Sequence, residues 1–177
     1  MLIRLLLALL LLGGVLLRSF AGWMIPLTLE EMRERADLIL QAKVTGKNCE
    51  RHADGHIITR IKVDVSEVLK GSLKTNKFEI VYNGGTIGNE TETSSIQAHY
   101  DVGEETVVFL RINDNGEAVT VGVVQGKFLI WEDKATGEKF AHNPFHGTTK
   151  EATTRDTNHT ARLALRELIN RAKGAAK

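Results

Sequence analysis

The clearest alternation along the chain runs from Ile57 to Val65, where Ile57, Thr59, Ile61, Val63 and Val65 interleave with Arg60, Lys62 and Asp64. A period of two with one apolar side predicts a strand of an antiparallel sheet, buried on one face and wet on the other. Leu38, Leu40, Ala42 and Val44 show the same period against Ile39, Gln41 and Lys43, predicting a strand that ends at Gly46. Phe78, Ile80 and Tyr82 alternate with Lys77 and Glu79 up to the turn Asn83-Gly84-Gly85. Thr106–Ile112 is apolar almost throughout and is predicted to be a central strand. Asn113-Asp114-Asn115-Gly116 follows as a hairpin turn, with Val119, Val121 and Val123 alternating beyond it. Gln125-Gly126 interrupts the pattern before Phe128–Trp131 resumes it, as at a bulge or a sharp bend.

Helical signals flank these strands. Thr28-Leu29-Glu30-Glu31 is a capping box, predicting a short helix over about Leu29–Ala36. Near the other end Ala161, Leu165, Leu168, Ile169 and Ala172 form one apolar stripe, predicting a helix over 159–173 capped by Asn158. Its other face carries Arg162, Arg166, Arg171 and Lys173, the ordinary composition of a solvated surface. The sum is six short strands in meander-like order between two helices. It predicts a mainly β fold, an OB-like five- or six-stranded antiparallel barrel, with an immunoglobulin-like sandwich as the alternative. The 20 residues from Gly84 to Gly103 exceed a simple hairpin connection, and with 132–157 they form the candidate binding surface.

The longest apolar run is of another kind. Leu5–Leu17 is 13 residues long, follows Arg4, and ends at Arg18-Ser19-Phe20-Ala21. A cationic start, a short apolar core and small residues at its end predict a secretory signal peptide over 1–21. The run is well short of the roughly 20 residues that span a bilayer, so a retained membrane anchor is the weaker reading. Residues 22–177 are then one exported domain, periplasmic or secreted, without stable membrane insertion. Removing Arg4 and Arg18 leaves 21 basic against 22 acidic residues, a balance that points away from nucleic acid. The single cysteine, Cys49, excludes an internal disulfide. Its polar neighbours Asn48, Glu50 and Arg51 place it on an exposed loop.

The order of features over residues 36–131 carries a resemblance. Ala36–Val44, the segment Val65-Ser66-Glu67-Val68-Leu69-Lys70-Gly71, the pair Gly84-Gly85, Gly103–Leu110 and Gln125-Gly126-Lys127-Phe128 together resemble a loose group of uncharacterised exported bacterial proteins. More distantly they resemble the OB-type barrel of netrin-like domains, the module of the tissue inhibitors of metalloproteinases. The resemblance implies a fold, and inhibition of a secreted protease as one function to consider. Those inhibitors chelate zinc through a disulfide-locked N-terminal cysteine, whereas here the expected mature start is Gly22-Trp23-Met24; no inhibitory residue carries over.

Catalytic motifs with useful specificity do not occur. There is no Gly-x-Ser-x-Gly elbow, and the glycines at 84, 85 and 88 lack the lysine and helix of a phosphate loop. Cys49 with His52 or His99 lacks the context of a nucleophile–base pair. His52 and His56, and again His142 and His146, are spaced His-x-x-x-His. Converging from two loops they would be the candidate ligands of a zinc site, but exposed loop histidines are the favoured account. Among the aromatic residues, Phe109 and Phe128 fall at core positions and only Tyr100 and Trp131 have room to be exposed, core packing being the default reading. The expectation is therefore an exported, non-enzymatic binding or interaction module of unknown ligand. The alternatives are a metal-dependent enzyme built on the histidines and a secreted protease inhibitor.

Overall fold

A computed structural model describes residues 25–94, 96–143 and 162–174. Helix α1 (Leu29–Arg35) opens on the predicted capping box: Glu31 N–H donates to Thr28 Oγ1 at 3.1 Å, and Thr28 N–H donates to Glu31 Oε2 at 2.8 Å. The strands are β1 (Leu38–Arg51), β2 (Ile57–Lys70), β3 (Lys77–Asn83), β4 (Gly85–Ile87), β5 (Glu90–Glu92), β6 (Glu105–Ile112), β7 (Ala118–Thr120), β8 (Lys127–Glu132), β9 (Lys139–His142) and β10 (Arg162–Ala164). Helix α2 (Leu165–Lys173) follows and ends on Gly174 with φ +81°.

The architecture is mainly β and antiparallel, as the alternation predicts. Eight strands form one sheet in the order β10-β9-β8-β6-β1-β2-β3, with β7 also paired to β6; β4 and β5 pair only with each other. The expected closed barrel is not formed. β3 and β7 lie side by side, but among the described residues no ladder joins them and the sheet remains open.

Strand β1 does not end at Gly46. Residue 46 lies at one of three register shifts in the β1–β2 ladder, and a bulge of this kind bends and twists a hairpin without terminating it. Cys49 is consequently a strand residue opposite Thr59 and half-buried, not a loop residue. The late helix is shorter than predicted, because residues 162–164 pair with β9 instead; Asn158 lies outside the described residues. Val121 and Val123 belong to a tight turn after β7, where Val123 adopts φ +65°.

The central strands bury both faces, which explains the unbroken apolar run of β6. Val107 and Phe109 of β6, with Ile39 and Phe128, pack against Leu29 and Met32 of α1 and Leu165, Leu168 and Ala172 of α2. Val108 and Leu110, on the opposite face, join Leu40, Ala42, Val44, Ile61, Val63, Ile80 and Tyr100 in a second core inside the curl of the sheet. Tyr100 is fully buried there, as the default of core packing has it. Its hydroxyl bonds to Thr120 Oγ1 at 2.7 Å, and burial pushes its pKa well above the usual tyrosine range. The described residues contain no helix long and apolar enough to cross a membrane.

Candidate functional site

At the open end of the curled sheet, β1, β2 and β3 run past the second core and meet the start of the long 84–103 connection. Thr59 shares a strand face with the core residues Ile61 and Val63, and it is fully buried. Its hydroxyl donates to the Gly84 carbonyl at 2.6 Å. That uses its one proton, so the contact with Cys49 Sγ at 3.4 Å has the thiol donating to Thr59 Oγ1. Gly85 has φ +144°, and a Cβ there would lie 2.6 Å from Thr59 Oγ1 and 2.7 Å from Cys49 Sγ. Glycine is needed here because the backbone passes directly against both side chains.

The β4–β5 hairpin is held over this point mainly by its acidic residues. Arg51 donates to Glu90, which raises the Arg51 pKa, chiefly through that hydrogen bond. Glu92 Oε2 accepts from Ile57 N–H at 3.1 Å and lies 3.5 Å from His56 Nδ1. Between hairpin and sheet is a cleft of about 460 Å³, with Lys47, Cys49 and Thr59 on the strands, Tyr82 and Asn83 at the end of β3, and Glu92, Gln97 and His99 on the connection. The Tyr82 ring lies nearly parallel to that of Tyr100 at 6.4 Å between centroids and meets His99 edge-on at 6.5 Å. The predicted surface 84–103 thus borders a concave site. The part of 132–157 from residue 144 onward lies outside the described residues.

Of the four candidate metal ligands, the structure describes His52, His56 and His142. His52 and His56 flank the β1–β2 turn, each turned toward carboxylates: His52 Nδ1 is 3.1 Å from Asp54 Oδ1 and its Nε2 is 4.0 Å from Glu117 Oε1. Asp54 accepts from His56 N–H and faces His52, interactions that hold its pKa low in that order of weight. His142 ends β9, beyond β6 and β8 from that turn, and borders a second cleft with His99, Lys127 and Leu129. His146 lies outside the described residues. Among the described residues no three His, Cys, Asp or Glu side chains are grouped to hold a metal ion.

Beside the β1–β2 turn, Arg60 bridges Glu50 at 2.5 Å and Glu117 at 3.2 Å, joining β2 to the turn before β7; the Glu50 hydrogen bond is the main reason its pKa is raised. Trp131 is half-buried and stacks on Phe140 of the neighbouring strand at 5.0 Å. Sequence reasoning did not find Lys47, Tyr82 or Asn83 as cleft residues. The available signal was the turn Asn83-Gly84-Gly85, which brings the end of β3 back across β2. No protein-family model matches the chain, and no curated protein matches it.

Proposed function

We propose that the chain is an exported, non-enzymatic binding module on an OB-like scaffold, and that the cleft under the β4–β5 hairpin receives its ligand. The observation that carries this reading is the 460 Å³ cleft itself: it is concave, largely pre-formed and lined by a few convergent polar groups, as small-molecule sites are. The OB-like scaffold is supported by strand order. Taken round the curl the order is β1-β2-β3-β7-β6 and back to β1, with four of the five junctions hydrogen-bonded and the β3–β7 junction formed by adjacency. Kinship with netrin-like modules rests on the same order together with the sequence resemblance. Export rests on the Arg4, Leu5–Leu17, Ala21 pattern. A binding role is favoured over catalysis because the cleft thiol is engaged as a donor to Thr59 and, among the described residues, no general base is bonded to it.

Thr91→Trp tests the reading from the exposed side of the hairpin, where added bulk fills the cleft without entering either core. Screening a small-molecule library by ligand-observed NMR should give binders to the wild-type chain that Thr91→Trp loses, with its melting temperature unchanged. Turnover of ester, peptide or glycoside substrates by the purified protein, abolished by Cys49→Ala, would overturn the non-enzymatic reading.

A further inference from the structure

We propose that the free edge of β1 over Lys47–Arg51 is a docking surface for an acidic, extended peptide segment of another protein, which adds to the sheet as an antiparallel strand. The inference goes beyond the cleft reading and does not rest on it. Register fixes the direction of the main-chain groups. His52 N–H donates to the His56 carbonyl at 2.8 Å, and from Arg51 back to Gly46 the β1–β2 register runs without a shift. Hydrogen-bonded pairs alternate along an antiparallel ladder, so Gly46, Asn48 and Glu50 bond to β2. The N–H and C=O groups of Lys47, Cys49 and Arg51 therefore point to the opposite edge. On that edge β6 pairs with β1 only over Leu38–Lys43, and Gly103 and Glu104 close the ladder at Val44. Beyond it, among the described residues, no hydrogen bond reaches the main chain of Lys47, Cys49 or Arg51. These groups are a template for one more strand.

Charge selects the occupant. Lys47, Cys49 and Arg51 share one face of β1. Antiparallel pairing of two copies about Cys49 would set the Lys47 of each against the Arg51 of the other, and like charges directly opposite are destabilising. The edge is thus guarded against a second copy. An acidic strand meets the reverse situation. Arg51 is already held by Glu90, but exposed Lys47 has one hydrogen bond, to the neutral Tyr100 carbonyl at 3.4 Å, and among the described residues no carboxylate pairs with it. An aspartate or glutamate opposite Lys47 supplies the missing counter-charge. At the neighbouring position on this face space is the limit: the Gly85 backbone passes against the Cys49 side chain, so the residue opposite Cys49 is small. The recognised pattern is an acidic and a small residue that follow one another along the same face of an extended segment.

The test uses the full chain and the blocked peptide Thr-Glu-Val-Ser-Val-Glu-Thr, whose glutamates and serine share one face, with a control in which lysine replaces both glutamates. Amide NMR is expected to show the acidic peptide binding with a Kd of about 1 mM or tighter. Hydrogen exchange should slow at the Lys47, Cys49 and Arg51 amides, which gain acceptors. N-methylation of the serine, whose N–H faces β1, should weaken binding by about tenfold; N-methylation of either valine, whose N–H faces away, should leave it unchanged. Lys47→Glu should weaken the acidic peptide by about fivefold or more and strengthen the lysine control, with unchanged melting temperature. Equal loss from N-methylation at serine and valine overturns pairing at the edge, and equal binding of the lysine control overturns the acidic chemistry. Binding by neither peptide overturns the proposal as a whole. Slowed exchange of the same three amides on concentrating the chain alone also overturns it, by making a second copy the occupant.

Discussion

Gly85 shows how much of the site depends on one absent methyl group. Its φ of +144° is open to glycine and strained for other residues, and an added Cβ would fall within 2.7 Å of both Thr59 Oγ1 and Cys49 Sγ. Gly85→Ala is therefore expected to lower stability by about 1–3 kcal/mol, measured by urea denaturation. Cys49→Gly in the same chain should recover part of the loss, because only one of the two obstructions is then removed. Gly126 is a stricter case: a Cβ there would meet the backbone oxygens of Val121 at 2.7 Å and Phe109 at 2.9 Å, which no side-chain truncation relieves. The sequence marks both glycines as interruptions of strand pattern, but what each one approaches is set by tertiary contact and has no local signature.

Among the elements, those with long regular patterns were legible and those with short ones were not. The alternation of β2, the apolar run of β6, the Asn113–Gly116 turn and the capping box of α1 all carry several mutually consistent signals. The strands β4, β5 and β10 have three residues each, too few for a period of two to stand out. Gly46 misled for the opposite reason, since a bulge and a strand end share the same residue. Tyr100 did carry a signal: Ala98 and Tyr100 are buried while His99 and Asp101 are exposed, a short alternation hidden in a polar connection. For α2, burial predicts the response. Leu168 is fully buried against the α1 face of the sheet, and Leu168→Ala should cost about 2–5 kcal/mol. Arg171→Ala removes a surface pair with Glu30 and should cost below about 1 kcal/mol. Chemical denaturation of the two variants side by side separates packing from surface charge as the force that seats this helix.

For the molecule as a whole, the two cores lie on opposite faces of one sheet, and Tyr100 makes the inner one sensitive to alkali. Its pKa is raised by burial, so folding holds the neutral phenol. The sign follows from linkage: this contribution is complete below the unfolded-state value of about 10 and is lost progressively as pH rises above it, because only the unfolded chain ionises readily there. The denaturation midpoint should fall above pH 10, with tyrosinate absorbance from Tyr100 appearing only as the chain unfolds. Tyr100→Phe should flatten that decline while losing the hydrogen bond to Thr120. An undiminished alkaline decline in the variant would show that another group governs it.

The β4–β5 hairpin shares no ladder with the main sheet; it is fastened chiefly at Arg51, His56, Ile57 and Thr59. Gly85 apart, residues of the hairpin between those anchors can change without shifting the register of any strand that builds a core. Sequence change at these positions is therefore nearly independent of folding, which makes this hairpin a natural place to graft a binding specificity.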